Sequence, residues 1–157
     1  MDEEVLRKQL VAQLDGGQAY TPIEEAIRDF PFELVGRKPD GVRHTAWEIV
    51  EHMRIAQWDI LRFTVDPGHV TPPWPDEHWP KRSAPKDEAA WRRSVETFLR
   101  ELEEVKALAR DPGTDLAQRI PHGTGQTVLR EILLVADHNA YHLGQVMLIR
   151  RALESAG

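Results

Sequence analysis

The sequence predicts an all-α fold: one four-helix-bundle domain over residues 1–157, with a long connection between its second and third helices. Three observations carry that expectation. Proline and glycine gather at 16–22, 31–41, 67–85 and 112–125, and the stretches between them hold few helix breakers. Within those stretches apolar residues recur at steps of three and four. Strand-like alternation is scarce, and Asp40-Gly41 precedes a helix instead of joining two alternating runs.

The first helix spans about Asp2 to Leu14, where Val5, Leu6, Leu10, Val11 and Leu14 share a face. A short helix follows from Thr21, where Thr21-Pro22-Ile23-Glu24 pairs a capping-box Thr and Glu with a proline at the first helical position. The second long helix opens at a further capping box, Thr45-Ala46-Trp47-Glu48, and continues to about Thr64, ahead of Asp66-Pro67-Gly68. Its inward stripe reads Ile49, His52/Met53, Ala56, Ile60 and Phe63, so a histidine sits among core positions. The third runs from after Pro85 to about Arg110, with a bundle seam of Trp91, Val95, Phe98, Leu102, Val105 and Ala109. The fourth opens near Thr127, reaches about Glu154 and is the most apolar of the four. The 66–84 connection is unusually long, a length associated with lids and crossovers, and its tryptophans Trp74 and Trp79 are expected to fold onto the bundle.

Composition excludes several classes of function. Twenty basic against 26 acidic side chains give a formal charge of −6. Nucleic acids and anionic membrane surfaces both attract clustered basic charge, so neither is an expected partner. With no cysteine, the chain has no disulfide, iron–sulfur cluster, thiolate zinc site or cysteine nucleophile. The charged start MDEEVLRKQL does not read as a signal peptide, and no apolar run approaches membrane-spanning length, which makes a soluble cytoplasmic protein the expectation.

Chemistry concentrates in the seven histidines. His138-Asn139-Ala140-Tyr141-His142 sets two imidazoles four residues apart, which on a helix is one turn and about 40° around the axis. Val128, Val135, Val146 and Ile149 share that inward sector. Two neutral imidazoles there could chelate a divalent ion. A bare H-x-x-x-H also arises by chance, and each ring could simply be a satisfied core or surface histidine. His52, inward on another helix, shifts the balance, because burying three unpartnered imidazoles is costly and one metal ion removes the cost. Competing templates fail. H-E-x-x-H requires Glu where Asn139 stands, and the Glu-x-x-His of di-iron bundles is absent. A mononuclear three-histidine site fits better. His44 is expected as a helix-flank residue, His69 and His78 as solvated loop residues, and His122 as a loop residue leading into the last helix.

Neighbouring residues complete the candidate set. Glu131 lies two turns before His138 on the same side, where it could accept an imidazole N–H or act as a catalytic base. As a first-turn Glu it equally favours the helix dipole. Tyr141 and Gln145 flank the histidines. Trp47, Arg54 and Trp58 could face a planar or anionic substrate or serve only packing and surface. On the last helix, Leu134, Tyr141 and Leu148 repeat every seven residues on a separate outer stripe beside Gly144. That stripe is either covered within the chain or is a homodimer face.

Two segments, HTAWEIVEHMRIAQWDILRF and IPHGTGQTVLREILLVADHNAYHLGQVMLIRR, resemble the second and fourth helices of the DinB-like (DinB/YfiT) superfamily. The intervening W-P…W-P loop and the A-A-W-x-x-S-V helix also fit the common bacterial pattern of that family. The resemblance implies an up-down-down-up bundle, often dimeric, with a divalent ion on His52, His138 and His142. It further implies chemistry with low-molecular-weight thiols in some members, and leaves the reaction of others open. An ion with three protein nitrogens retains an open position, as catalytic zinc sites do. Zinc and nickel both suit imidazole. The expectation is one divalent ion per chain in a metal-dependent transferase or hydrolase acting on a small molecule. The alternative is a noncatalytic stress-response or ligand-binding protein with a structural or sensory metal.

Overall fold

The computed structural model describes residues 2–156, and among these the architecture is all-helical, with one isolated bridge between Arg119 and Thr127. The elements are α1 (Glu3–Asp15), α2 (Ile23–Arg28), a 3-10 turn (Phe32–Leu34), α3 (Ala46–Val65), α4 (Glu88–Arg110) and α5 (Val128–Ser155). The long helices start where the sequence supplies a cap for their unpaired N–H groups. Asp2 accepts from Glu4 N, Asp87 from Ala90 N and Thr127 from Arg130 N. At Thr45 the predicted capping box is complete, with Glu48 N on Thr45 Oγ1 at 3.2 Å and Thr45 N on Glu48 Oε2 at 2.8 Å. The box expected at Thr21 does not form. Pro22 is itself the cap of α2, with no side-chain hydrogen bond, which leaves the Thr21 hydroxyl one residue too far from the first turn.

Each long helix packs chiefly against two others: α3 on α4 and α5, and α1 on the same pair. Side-chain pairings give the directions. Between α3 and α4, Glu51 meets Ser94, Gln57 meets the Phe98 carbonyl and Arg62 meets Glu104, so the numbers rise together and the helices are parallel. Between α3 and α5, His52 meets His142 while Gln57 meets Asn139, an antiparallel pairing. Arg7 reaches the Ala109 carbonyl and Asp15 meets Lys106, so α1 opposes α4. The bundle is therefore up-down-down-up in α1, α3, α4 and α5, as the family resemblance implied.

Parallel neighbours need a connection that returns the length of a helix. Residues 66–87 do this by running back along α3. His69 and His78 meet Asp59, the His78 carbonyl meets His52, and the Arg82 and Ser83 carbonyls accept from Trp47 Nε1 and Thr45 Oγ1 at 3.0 and 2.7 Å. The seam predicted on α4 is buried at all six positions. Among the described residues no helix is long and apolar enough to cross a membrane.

Candidate metal centre

Three helical positions bring the site together. His52 comes from the middle of α3, and His138 and His142 come from successive turns of α5. One nitrogen from each ring lies within 4.8 Å of the others, and His138 Nε2 is 3.1 Å from His52 Nε2. His52 and His142 are buried and His138 is half-buried. The set can hold a metal ion.

The surroundings hold two of the rings in an orientation suited to a cation. His52 Nδ1 lies 2.7 Å from the His78 carbonyl, which only accepts, so Nδ1 carries the proton and Nε2 is left as a lone pair. His142 Nδ1 meets Gln145 Oε1 at 2.9 Å, with the same consequence. A second hydrogen bond that sets the free nitrogen in this way is the usual support of a histidine ligand. Trp79 lies flat on His52, with ring centroids 4.0 Å apart and planes within 2°, and it also stacks on His44 at 4.2 Å.

Electrostatics favour neutral rings. Burial drives the His52 pKa down to about 4, against the hydrogen bond to the His78 carbonyl, and nearby His142 lowers it further. Burial drives His138 down to about 3, with His142 and His52 adding to the effect. His142 is also lowered by burial, opposed by its hydrogen bond to Gln145. Three neutral imidazoles with convergent nitrogens, two lone pairs of which face inward, are a donor set complementary to a divalent cation.

The remaining sequence candidates divide between the edge of the site and positions away from it. Glu131 is buried two turns before His138, roughly 10 Å along the helix axis, with Oε1 2.7 Å from Arg130. It is not part of the three-histidine group. Gln145 orients a ligand ring, and Tyr141 packs on the edge of His142 at 4.9 Å while remaining 66% exposed. Trp47 belongs to the core, Arg54 pairs with Glu51, and Trp58 packs against His69. His122 bonds the Phe63 carbonyl, away from the site. Trp79 folds onto the bundle as expected, whereas Trp74 is 67% exposed, 5.9 Å from His52.

The expectation for two loop histidines is corrected. His69 and His78 are not solvated. Their Nε2 atoms meet the two oxygens of Asp59 at 2.6 and 3.1 Å, and His78 is buried. Asp59 is itself buried and needs donors, which the returning connection supplies. A signal for Asp59 was present, since it follows His52 by seven residues and so lies on the same helix face. Through His78 this carboxylate anchors the carbonyl that orients His52.

A sequence profile of the DinB superfamily matches residues 17–146. No curated protein and no solved structure gives a significant match to the chain.

Proposed function

The chain belongs to the DinB superfamily, and on that premise we propose that it is a metal-dependent enzyme acting on a small molecule, of the thiol S-transferase or hydrolase type. In this reading one zinc or nickel ion per chain rests on His52, His138 and His142. The observation that carries it is the convergence of three neutral imidazoles, two of them with Nδ1 committed to protein oxygens. When bound, the ion supplies a Lewis acid that lowers the pKa of a water or thiol reaching it. With no cysteine in the chain, such a thiol comes from a small molecule.

The protein's own contribution is positioning and exclusion of water. The His78 carbonyl and Gln145 hold two rings in place, and Trp79 covers the face of His52. The exposed Trp74 and Tyr141 rings stand beside His52 and His142 and offer apolar surface to a substrate. The test is a screen of activated electrophiles with glutathione, bacillithiol and mycothiol, and of esters, on zinc- and nickel-loaded protein. Metal-dependent turnover supports the enzyme, and its absence with every thiol and ester moves the reading to a noncatalytic metal protein. Once a turnover is found, Glu131→Gln tests the base role: lost turnover at unchanged metal content supports it, and unchanged turnover removes it.

A further inference from the structure

Two of the three site histidines have an acceptor for Nδ1–H, and the third does not have a well-formed one. His138 Nδ1 is buried without a hydrogen-bond partner, and so is Asn139 Oδ1, on the adjacent and completely buried residue. The other end of the Asn139 amide is committed. Asn139 Nδ2 donates to Gln57 Oε1 at 2.9 Å, and Gln57 Nε2 donates to the Phe98 carbonyl at 2.8 Å. Gln57 is likewise buried.

The direction of this chain follows from its last member. A backbone carbonyl only accepts, so Gln57 must turn its NH2 toward Phe98 and its oxygen toward Asn139. Asn139 must then turn its NH2 toward Gln57, which leaves its oxygen for His138. Reversing either amide would set two acceptors or two donors face to face in a fully buried place, at a cost of several hydrogen bonds.

We propose that the Phe98 carbonyl, Gln57 and Asn139 form a relay across α4, α3 and α5 that presents Asn139 Oδ1 to His138 Nδ1–H. Asn139 and Gln57 are thus positioning residues, and this role rests on the metal-site reading above. With the relay in place all three rings carry their proton on Nδ1. The Nε2 atoms of His52 and His138, 3.1 Å apart, then both present lone pairs, an arrangement that a cation between them stabilises. None of the relay groups is a ligand, so its influence travels only through the tautomer and the tilt of one ring.

The test uses the full chain with zinc as the probe. Zinc affinity is measured by chelator competition, and the His138 ring N–H is followed by NMR of the 15N-histidine-labelled, zinc-loaded protein. Asn139→Leu is expected to weaken zinc binding about 10- to 100-fold, the usual effect of removing such a support. Gln57→Met, remote from the ligands, is expected to weaken it in the same direction by less. In both, the His138 Nδ1–H, slow to exchange in the wild type, should exchange faster. A carboxylate has two equivalent acceptors and needs no orienting, so adding Asn139→Asp to Gln57→Met should restore affinity. The relay is overturned if Gln57→Met leaves both zinc affinity and exchange unchanged, or if wild-type His138 Nδ1–H exchanges freely. If Asn139→Leu does not fold, Gln57→Met and the wild-type spectrum still decide. A wild type that takes up no zinc defeats the metal reading instead, and the metal-free tautomer then judges the relay: Nδ1–H upholds it and Nε2–H overturns it.

Discussion

Helices α3 and α4 run parallel, side by side, at 20 and 23 residues, yet they bury different chemistry. On α4 the seam from Trp91 to Ala109 is apolar at every step, with Ser94 and Glu101 buried at its flank. On α3 four polar side chains are buried: Glu51, His52, Gln57 and Asp59. Leaving one such group unpaired costs about 1–3 kcal/mol, more when it is charged. Each therefore has a partner, and the partners come from α3 itself, α4, α5 and the connection. Glu51 meets Arg54 and Ser94, His52 the His78 carbonyl, Gln57 the Phe98 carbonyl and Asn139, and Asp59 meets His69 and His78. The difference separates two jobs. α4 supplies hydrophobic stabilisation, while α3 is the element through which the connection, α4 and α5 are registered on one site.

The largest way to break that contrast is to remove the polar centre of α3. His52→Ala should reduce the metal content of untagged protein from about one ion per chain to none, while helicity by circular dichroism is kept. Elemental analysis reads the first and spectroscopy the second. Full metal retention would mean that α5 alone holds the ion and that α3 does not complete the site.

The corresponding change on α4 should act on stability alone. Phe98 is completely buried, and Phe98→Ala should cost about 3–5 kcal/mol in urea unfolding. The backbone carbonyl that Gln57 uses remains, so zinc affinity of the folded fraction should stay unchanged. A large loss of affinity would show that the scaffold and the site are not separable.

Acid sharpens the comparison without a mutation. In the metal-free protein, burial holds the His52 pKa at about 4 and that of His138 at about 3, against about 6.5 in an unfolded chain. Below about pH 6.5 the unfolded state takes up protons that the folded state does not, so stability is greatest above that value and is lost as pH falls toward 4 and then 3. Urea midpoints measured between pH 8 and 4 should fall more steeply for the wild type than for a His52→Gln/His138→Gln variant. Equal slopes would place the acid sensitivity elsewhere.

How much of this was legible in the sequence follows the same division. Apolar periodicity marks the α4 seam, and Thr45 and Glu48 mark the start of α3 with a capping box that forms as read. His138 and His142 are legible because their pairing is local to one helix, and His52 because an imidazole stands on an apolar stripe. The crossover is implied by the up-down-down-up resemblance, but the contacts of residues 66–87 are not legible, because which α3 groups they meet depends on how the helices pack. His69 and His78 therefore read as solvated until the crossover lays them on Asp59. Gln57 and Asn139 carry no periodic signal either, since their roles exist only where three helices meet.

A milder break targets that crossover. Asp59 holds both loop histidines, and Asp59→Asn leaves one oxygen and one NH2 where two acceptors stood. The cost should be about 1–3 kcal/mol, taken mainly from the loop. Hydrogen exchange should rise over residues 66–85 and at His52, with the α4 seam still protected. Uniform loss of protection across α4 would mean that the connection is part of the core.

The smallest effect on the folded chain is expected on the outer stripe of α5. Tyr141 and Leu148 are 66% and 63% exposed, and a side chain built at Gly144 between them would meet nothing within 4 Å. Leu134, the third residue of the stripe, is half-buried, but neither the connection nor α1 covers the other two within the chain, so of the two readings of the stripe the homodimer face is the one to test. A two-fold pairing is the commonest closed way to bury such a face. Light scattering at micromolar concentration should then give twice the chain mass for the wild type and the single-chain mass for Leu148→Glu. Because the position is solvent-exposed in one chain, the substitution should change the stability of the isolated chain by no more than about 0.5 kcal/mol. It should leave zinc affinity unaltered as well. A wild type of single-chain mass removes the dimer and leaves the stripe as ordinary exposed apolar surface. A Leu148→Glu protein that still pairs places the interface on another face of the bundle.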